Sequence, residues 1–171
     1  MRKGLIFLLS LSFVLLFVVA FAQEKPEYLV ENYTGKYGGT LYVGTLNGPK
    51  TLNPCTAYET SSTDIIGWFL DYLVDFNKDG SIRGGALAKD WTISDDGKSY
   101  IFKIRKGLKW SDGTPFTGED VYFSFATIWT SKELAGNLYD GLLGPDGNPP
   151  KAELIDEYTV KITYSEPFAP G

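Results

Sequence analysis

The passage from Thr92 to Arg105 restricts the possible folds of this chain more than any other. Thr92-Ile93-Ser94 and Ser99 to Arg105 flank Asp95-Asp96-Gly97-Lys98, a polar turn sequence between two strand-forming segments, and so read as a β-hairpin. Within the second arm Tyr100, Phe102 and Ile104 point one way, and Ile101, Lys103 and Arg105 the other. That period of two belongs to an antiparallel sheet with one face buried. A second strand pair is expected over Ala152 to Ile155 and Tyr158 to Tyr164, turning at Asp156-Glu157.

The remaining strands are shorter. Leu41 and Val43 alternate with Tyr42 and Gly44 between Thr40 and Thr45, which predicts a strand. Val74 to Phe76 and a segment around Ile82 form a two-strand ribbon across the turn Asn77-Lys78-Asp79-Gly80, and Leu108 and Trp110 form another strand, ended by Asp112-Gly113. Ala86 to Trp91 is expected to be helical or irregular.

Two helices announce themselves by their caps. Ser61-x-x-Asp64 reads as a capping box for a helix in which Ile65, Trp68, Phe69, Tyr72 and Leu73 share an apolar face. Thr117-x-x-Asp120 opens a second, with Val121, Phe125, Ile128 and Trp129 on one face and Glu119 and Asp120 at the positive end of the helix dipole. Gly136 to Pro150 is rich in Gly, Pro, Asn and Asp and reads as a loop. The four tryptophans, Trp68, Trp91, Trp110 and Trp129, are expected to pack in the core.

At the N-terminus, Arg2 and Lys3 precede the apolar run Leu5 to Val19, and Ala20-Phe21-Ala22 places small residues at alternate positions. This is the pattern of a secretory signal cleaved before Gln23. The alternative is a retained anchor, because the uncharged run from Gly4 to Ala22 approaches the roughly 20 residues that span a membrane. The single cysteine, Cys55, is far from the cleavage region and cannot form an internal disulfide, so stability has to come from a packed core.

Composition excludes several kinds of chemistry. The formal net charge is -5, and loss of Arg2 and Lys3 makes it more negative, which disfavours nucleic acid as a partner. The chain contains 0 His, so Ser-His-Asp and Cys-His nucleophile systems are excluded within it, and the commonest zinc ligand is lacking. Asp-Gly recurs at Asp79, Asp96, Asp112, Asp140 and Asp146 without EF-hand spacing, so turn chemistry explains these pairs better than calcium. Asp95-Asp96 and Glu119-Asp120 lie where a hairpin turn and a helix start are expected, both solvated, and neither pair suggests acid–base catalysis. Gly38-Gly39 is not followed by Gly-Lys-Ser/Thr and is no phosphate loop. No cofactor or metal is expected, and an enzyme is not.

One loop remains as a place for binding. Between the first expected strand and the first helix, Pro49-Lys50-Thr51-Leu52-Asn53-Pro54-Cys55-Thr56-Ala57-Tyr58-Glu59-Thr60-Ser61 is stiffened by two prolines. Loops held by rigid elements carry function more often than their share. Asn53, Thr56, Tyr58, Glu59 and Thr60 offer hydrogen bonds, an aromatic edge and a charge, and are the candidate ligand-binding residues. A rigid crossover without ligand contact is the alternative. Cys55, with no His to make it a thiolate, reads as a small packed residue.

Taken in order, three stretches resemble the extracellular solute-binding proteins of family 5, the peptide-binding group that serves ABC importers. They are Gly38-Gly39-Thr40-Leu41 with Thr51-Leu52-Asn53-Pro54; the passage from Leu87-Ala88-Lys89-Asp90-Trp91 through Lys106-Gly107-Leu108-Lys109-Trp110-Ser111-Asp112-Gly113-Thr114-Pro115-Phe116-Thr117; and Gly118-Glu119-Asp120-Val121-Tyr122-Phe123-Ser124. Gly118 stands where the family usually has Ala, and Gly85 near where it often has Pro. The resemblance implies part of a two-lobed α/β periplasmic binding protein fold of the class II type, with a mixed, largely antiparallel sheet and two amphipathic helices. It divides the chain into a signal peptide (1–22), a lead-in with the first strand of lobe I (23–60) and an incomplete accessory subdomain (61–171), with the second lobe absent. It also implies a periplasmic or extracellular protein that binds a small solute, oligopeptide or oligosaccharide, and delivers it to a membrane permease. A secreted glycan-binding module and a carboxylate-dependent glycosidase are the competing readings.

Overall fold

The computed structural model describes residues 36, 38–76 and 82–168. The expected signal peptide and the turn at 77–80 lie outside the described residues. The centre of the molecule is a four-stranded antiparallel sheet in the order β3-β4-β6-β5, made of β3 (Ala88–Ile93), β4 (Ser99–Ile104), β5 (Lys151–Asp156) and β6 (Thr159–Thr163). Beside it β1 (Val74–Phe76) and β2 (Ile82–Gly85) form the expected antiparallel ribbon. Three short helices complete the described elements: α1 (Thr60–Ile66), α2 (Gly118–Phe123), which widens into a π-helical turn over Ser124–Ile128, and α3 (Lys132–Ala135).

Both expected strand pairs form. Ser94 closes the first hairpin by donating its N–H to the Ser99 carbonyl at 2.9 Å, and Gly97 occupies the left-handed region at φ +68°. Phe102 lies opposite Val160, and Tyr100 opposite Ile162, while Ala152 and Leu154 face the same two β6 residues from β5. The inner face of the sheet is therefore continuous across β4, β6 and β5. Val160 and Ile162 are fully buried at its centre, each contributing about 2 kcal/mol of hydrophobic stabilisation.

Helix α2 covers that face. Its capping box is formed as expected: the Thr117 hydroxyl accepts from Glu119 N–H at 3.2 Å, and Asp120 Oδ2 accepts from Thr117 N–H at 2.8 Å. Val121 and Phe125 then join Ala88, Ile104, Phe116, Val160, Ile162 and Tyr164 in one core, with Trp129 packed against it. The wide turn brings Trp129 edge-on to Phe125, their ring centroids 4.2 Å apart.

Several expectations are corrected. Ala86 to Trp91 is not helical; β3 runs through Ala88–Ile93, and a bulge between Ala88 and Asp90 breaks its alternation. Leu108 and Trp110 do not continue a strand. Gly107 turns the chain at φ +80°, Pro115 has no N–H to give, and only a Lys109–Pro115 bridge forms in a tight loop closed by Phe116 N–H to Leu108 O at 2.9 Å. Thr40 to Thr45 is not in a strand, because no described strand lies beside it to pair with. Helix α1 starts at Thr60 and ends at Ile66, so the apolar face expected to run to Leu73 is cut short, and Trp68, Phe69 and Tyr72 are exposed. Trp110 is likewise exposed rather than in the core, its Nε1 donating to Asp120 Oδ1 at 3.2 Å. The stretch read as a loop from Gly136 contains two 3₁₀ turns, Gly136–Leu138 and Asp140–Leu142.

Three of the five Asp-Gly pairs behave as turns; Asp140 opens the second 3₁₀ turn, and Asp79 lies outside the described residues. Asp96, Asp112 and Asp146 each accept, through Oδ1, the backbone N–H two residues on, at 3.1, 2.9 and 3.1 Å.

Candidate ligand-binding loop

The loop before α1 is an ordered structure built on local hydrogen bonds. Pro49 and Pro54 remove two donors, and the remaining backbone groups are satisfied largely by side chains. Asn53 Oδ1 accepts from Cys55 N–H at 2.9 Å, and Asn53 O from the N–H groups of Thr56 and Ala57 at 3.2 and 3.0 Å. The Thr51 hydroxyl accepts from Asn53 N–H at 3.1 Å and lies 3.4 Å from the Thr56 hydroxyl. Asn53 and Thr56 thus fold the turn itself.

Its two ends are tied together by Ser62. This residue is fully buried, and its Oγ accepts from the N–H groups of Lys50 and Thr51 at 3.0 and 3.2 Å while donating to the Glu59 carboxylate. Glu59 Oε1 also accepts from Lys50 N–H at 3.3 Å. The Ser62 hydroxyl is the main reason that the Glu59 carboxyl is held below its ordinary value, and Glu59 is ionised at neutral pH, as an ordinary Glu would be. No side chain caps α1: Glu59 is the N-cap residue but its carboxylate is turned to Ser62 and Lys50, so the expected Ser61-x-x-Asp64 box does not form.

Tyr58 and Thr60 are different. Tyr58 is 76% exposed and Thr60 is exposed at the first position of α1, while Ala57 between Thr56 and Tyr58 is buried and seats the turn. The structure brings all five predicted residues into one compact loop but divides them. Asn53, Thr56 and Glu59 spend hydrogen-bonding capacity on the loop; Tyr58 and Thr60 face outward.

Sequence reasoning missed the residues that fasten the loop to the rest of the fold. Asn137 N–H donates to Cys55 O at 3.0 Å and Asn137 Nδ2 to Thr56 O at 3.3 Å, across 81 positions of sequence. Nothing local marks Asn137 for that task. Ser62, by contrast, stood within a recognised cap region and could have been suspected.

A concavity lies on the sheet side, an open depression of about 460 Å³ lined by Lys89, Lys103, Lys106, Asp156, Glu157 and Tyr158 among others. Lys106 Nζ sits 5.5 Å from the Tyr158 ring centroid, and Tyr158 N–H chiefly holds the Asp156 carboxyl low. Three lysines and two carboxylates line it, so both signs of charge face the depression. Among the described residues, no group of three or more His, Cys, Asp or Glu could hold a metal ion. In the Asp95-Asp96 and Glu119-Asp120 pairs, the Ser94 hydroxyl chiefly holds the Asp96 carboxyl low, and Asp120 serves its own cap.

The hairpin, the turn at Asp112-Gly113 and the capped helix follow one another in the order of a known family, and residues 84–171 match the model of the bacterial extracellular solute-binding proteins, family 5 Middle. The chain belongs to this family. Among relatives of family 5, it is 31% identical over 134 residues to the "Probable D,D-dipeptide-binding periplasmic protein DdpA" of Escherichia coli K12, which covers 76% of this chain and 25% of the relative. It is 35% identical over 124 residues to the glutathione-binding protein GsiB of Escherichia coli K12, covering 70% of this chain and 22% of that one. The crystal structure of the ABC transporter substrate-binding protein CtaP from Listeria monocytogenes superposes with a TM-score of 0.65 at 34% identity, over 76% of this chain and 25% of CtaP. The chain therefore spans about a quarter of the length of the curated relatives it matches. Its mixed α/β fold with an antiparallel sheet is part of a two-lobed periplasmic binding protein fold. Family 5 is a solute-binding family of transport proteins rather than a family of enzymes.

Proposed function

We propose that this polypeptide belongs to the solute-binding component of an ABC importer, which captures an oligopeptide outside the membrane and delivers it to a permease. The observation that carries this reading is the family membership of residues 84–171, together with relatives whose names specify a dipeptide and the tripeptide glutathione. The division into an exported leader over 1–22, a lead-in over 23–60 and an accessory subdomain from 61 onward goes with it. Family 5 consists of extracellular proteins, and the charged, apolar and small-residue pattern of residues 2–22 suits export.

Within this reading the loop from Asn53 to Ser61 is the ligand-contacting segment. Tyr58 supplies an aromatic face and a hydroxyl, Thr60 a hydroxyl, and the ionised Glu59 a negative field suited to a peptide ammonium. Asn53 and Thr56 hold these groups in place.

The test is a thermal-shift screen of the full-length exported protein against short peptides and oligosaccharides. A ligand at 100 times its dissociation constant adds about 2.7 kcal/mol of stability. Peptides are expected to raise the melting temperature; a response to oligosaccharides alone would replace peptide with glycan as the solute.

A further inference from the structure

We infer that Gly136 and Asn137 are positioning residues that clasp the candidate ligand loop, an inference that rests on the proposed role of that loop. Two successive carbonyls of the loop, Cys55 O and Thr56 O, are taken by one residue, Asn137, through its backbone N–H at 3.0 Å and its Nδ2 at 3.3 Å. A residue that binds two consecutive carbonyls fixes the direction of the peptide between them, not merely its distance. Tyr58 and Thr60 follow within four positions, so their outward direction descends from that fixed peptide.

The residue before Asn137 makes the close approach possible. Gly136 has φ +55° and ψ -122°, a conformation that side-chain-bearing residues rarely adopt. A Cβ there would lie 2.5 Å from Cys55 O and 3.3 Å from Cys55 C. Both contacts are with backbone, which cannot swing aside as the end of a side chain would. Only glycine admits this backbone conformation and this proximity together. Ala135, fully buried, anchors the clasp on its other side, and α3 before it is capped by Ser131 Oγ accepting from Leu134 N–H at 3.4 Å.

Ser62 ties the two ends of the loop together, at Lys50-Thr51 and at Glu59, and Asn137 holds its middle. The Ser62 contacts lie within twelve positions of sequence and form with the loop itself, whereas the Asn137 contacts tie the loop to a distant segment. Loosening the clasp therefore frees the loop without dismantling the four-stranded sheet.

Cys55 provides the readout, being the only cysteine, half-buried and a free thiol. In the full-length protein, the labelling rate of this thiol by a maleimide under native conditions and the affinity for trialanine are measured for wild type, Gly136→Ala and Asn137→Ala. Gly136→Ala, which displaces both hydrogen bonds, is expected to speed labelling about tenfold, and Asn137→Ala, which removes one, about threefold. Trialanine affinity should fall in the same order while the melting temperature of the ligand-free protein changes little. If Gly136→Ala does not fold, Asn137→Ala alone decides. Unchanged labelling overturns the clasp. Faster labelling with unchanged trialanine affinity overturns the positioning role. Wild-type protein that ignores trialanine while both variants label faster supports the clasp and counts instead against trialanine-like tripeptides as the solute.

Discussion

Glu59 shows how one hydroxyl can hold a carboxylate and with it the conformation of a loop. Its carboxyl is held below the ordinary 4.5 first by the Ser62 hydroxyl and then by backbone N–H groups that include that of Lys50. Because the folded value is depressed, the contribution to stability is fully present above pH 4.5 and is lost as pH falls through the folded value. A carbon-detected NMR titration of the Glu59 carboxyl should give a midpoint below 4.5, and Ser62→Ala should return it most of the way to 4.5. Protection of the Lys50 amide, corrected for intrinsic exchange, should fall over the same acid range. An unshifted Glu59 midpoint in wild type would remove the reason for treating this carboxylate as held by Ser62.

Among the elements, the α2 N-terminus and the β5–β6 turn meet at Gly118, whose N–H donates to Glu157 O at 2.8 Å. A Cβ at Gly118 would lie 3.0 Å from that same oxygen, 3.1 Å from Val160 Cγ2 and 3.2 Å from Leu154 Cδ1. Alanine at this place gains up to about 1 kcal/mol in helix propensity, but overpacking against a turn carbonyl and a fully buried Val costs about 1–3 kcal/mol. Gly118→Ala is therefore expected to lower stability by about 1 kcal/mol in urea unfolding; a gain would show that the β5–β6 turn yields. The cap at Thr117 and the hairpin at Asp95-Asp96-Gly97-Lys98 are legible in the sequence because their hydrogen bonds close within a few residues. Strand β3 is not, since its bulge puts Lys89 out of register and erases the period of two. The apolar spacing of Ile65, Trp68, Phe69, Tyr72 and Leu73 misleads for another reason: it runs on through the end of α1 into a turn and the approach to β1, and periodicity alone cannot show where a helix stops. The candidate loop could be recognised from its prolines and its place before a helix. Its division into bracing and outward-facing residues depends on Asn137, and no pattern of nearby residues carries a contact across 81 positions.

At the scale of the whole molecule, stability is unevenly spread. Residues 88–164 contain the sheet, its covering helix and the single core built on Val160 and Ile162. Among the described residues, the segment before α1 joins that block chiefly through the bonds of Asn137 to the loop, and the segment after α1 through Leu87 N–H and Ala88 N–H, which donate to Tyr72 O and Leu73 O at 2.9 and 3.1 Å. Farther upstream, Leu41, Tyr42 and Leu46 are 86%, 91% and 101% exposed. Proteolysis samples the free energy of local opening, which is near zero for exposed backbone and approaches the global value in core strands. Under native conditions, chymotrypsin acting on a polypeptide of this sequence should cut first, among its sites in the described residues, at Leu41, Tyr42 or Leu46, while Tyr100, Phe102, Phe125 and Tyr164 stay intact. Ile162→Ala removes a large buried side chain from the centre of the core at a cost of about 2–5 kcal/mol. That variant should keep the early cuts at their wild-type rate and expose the core sites at much lower protease concentration, which mass spectrometry of the fragments would resolve. If the early sites resist instead, the alternating segment from Thr40 to Thr45 has found a strand to pair with in solution, since exposed backbone donors and acceptors in an extended segment are a template for pairing; dilution would then release the protection if the partner were a second chain.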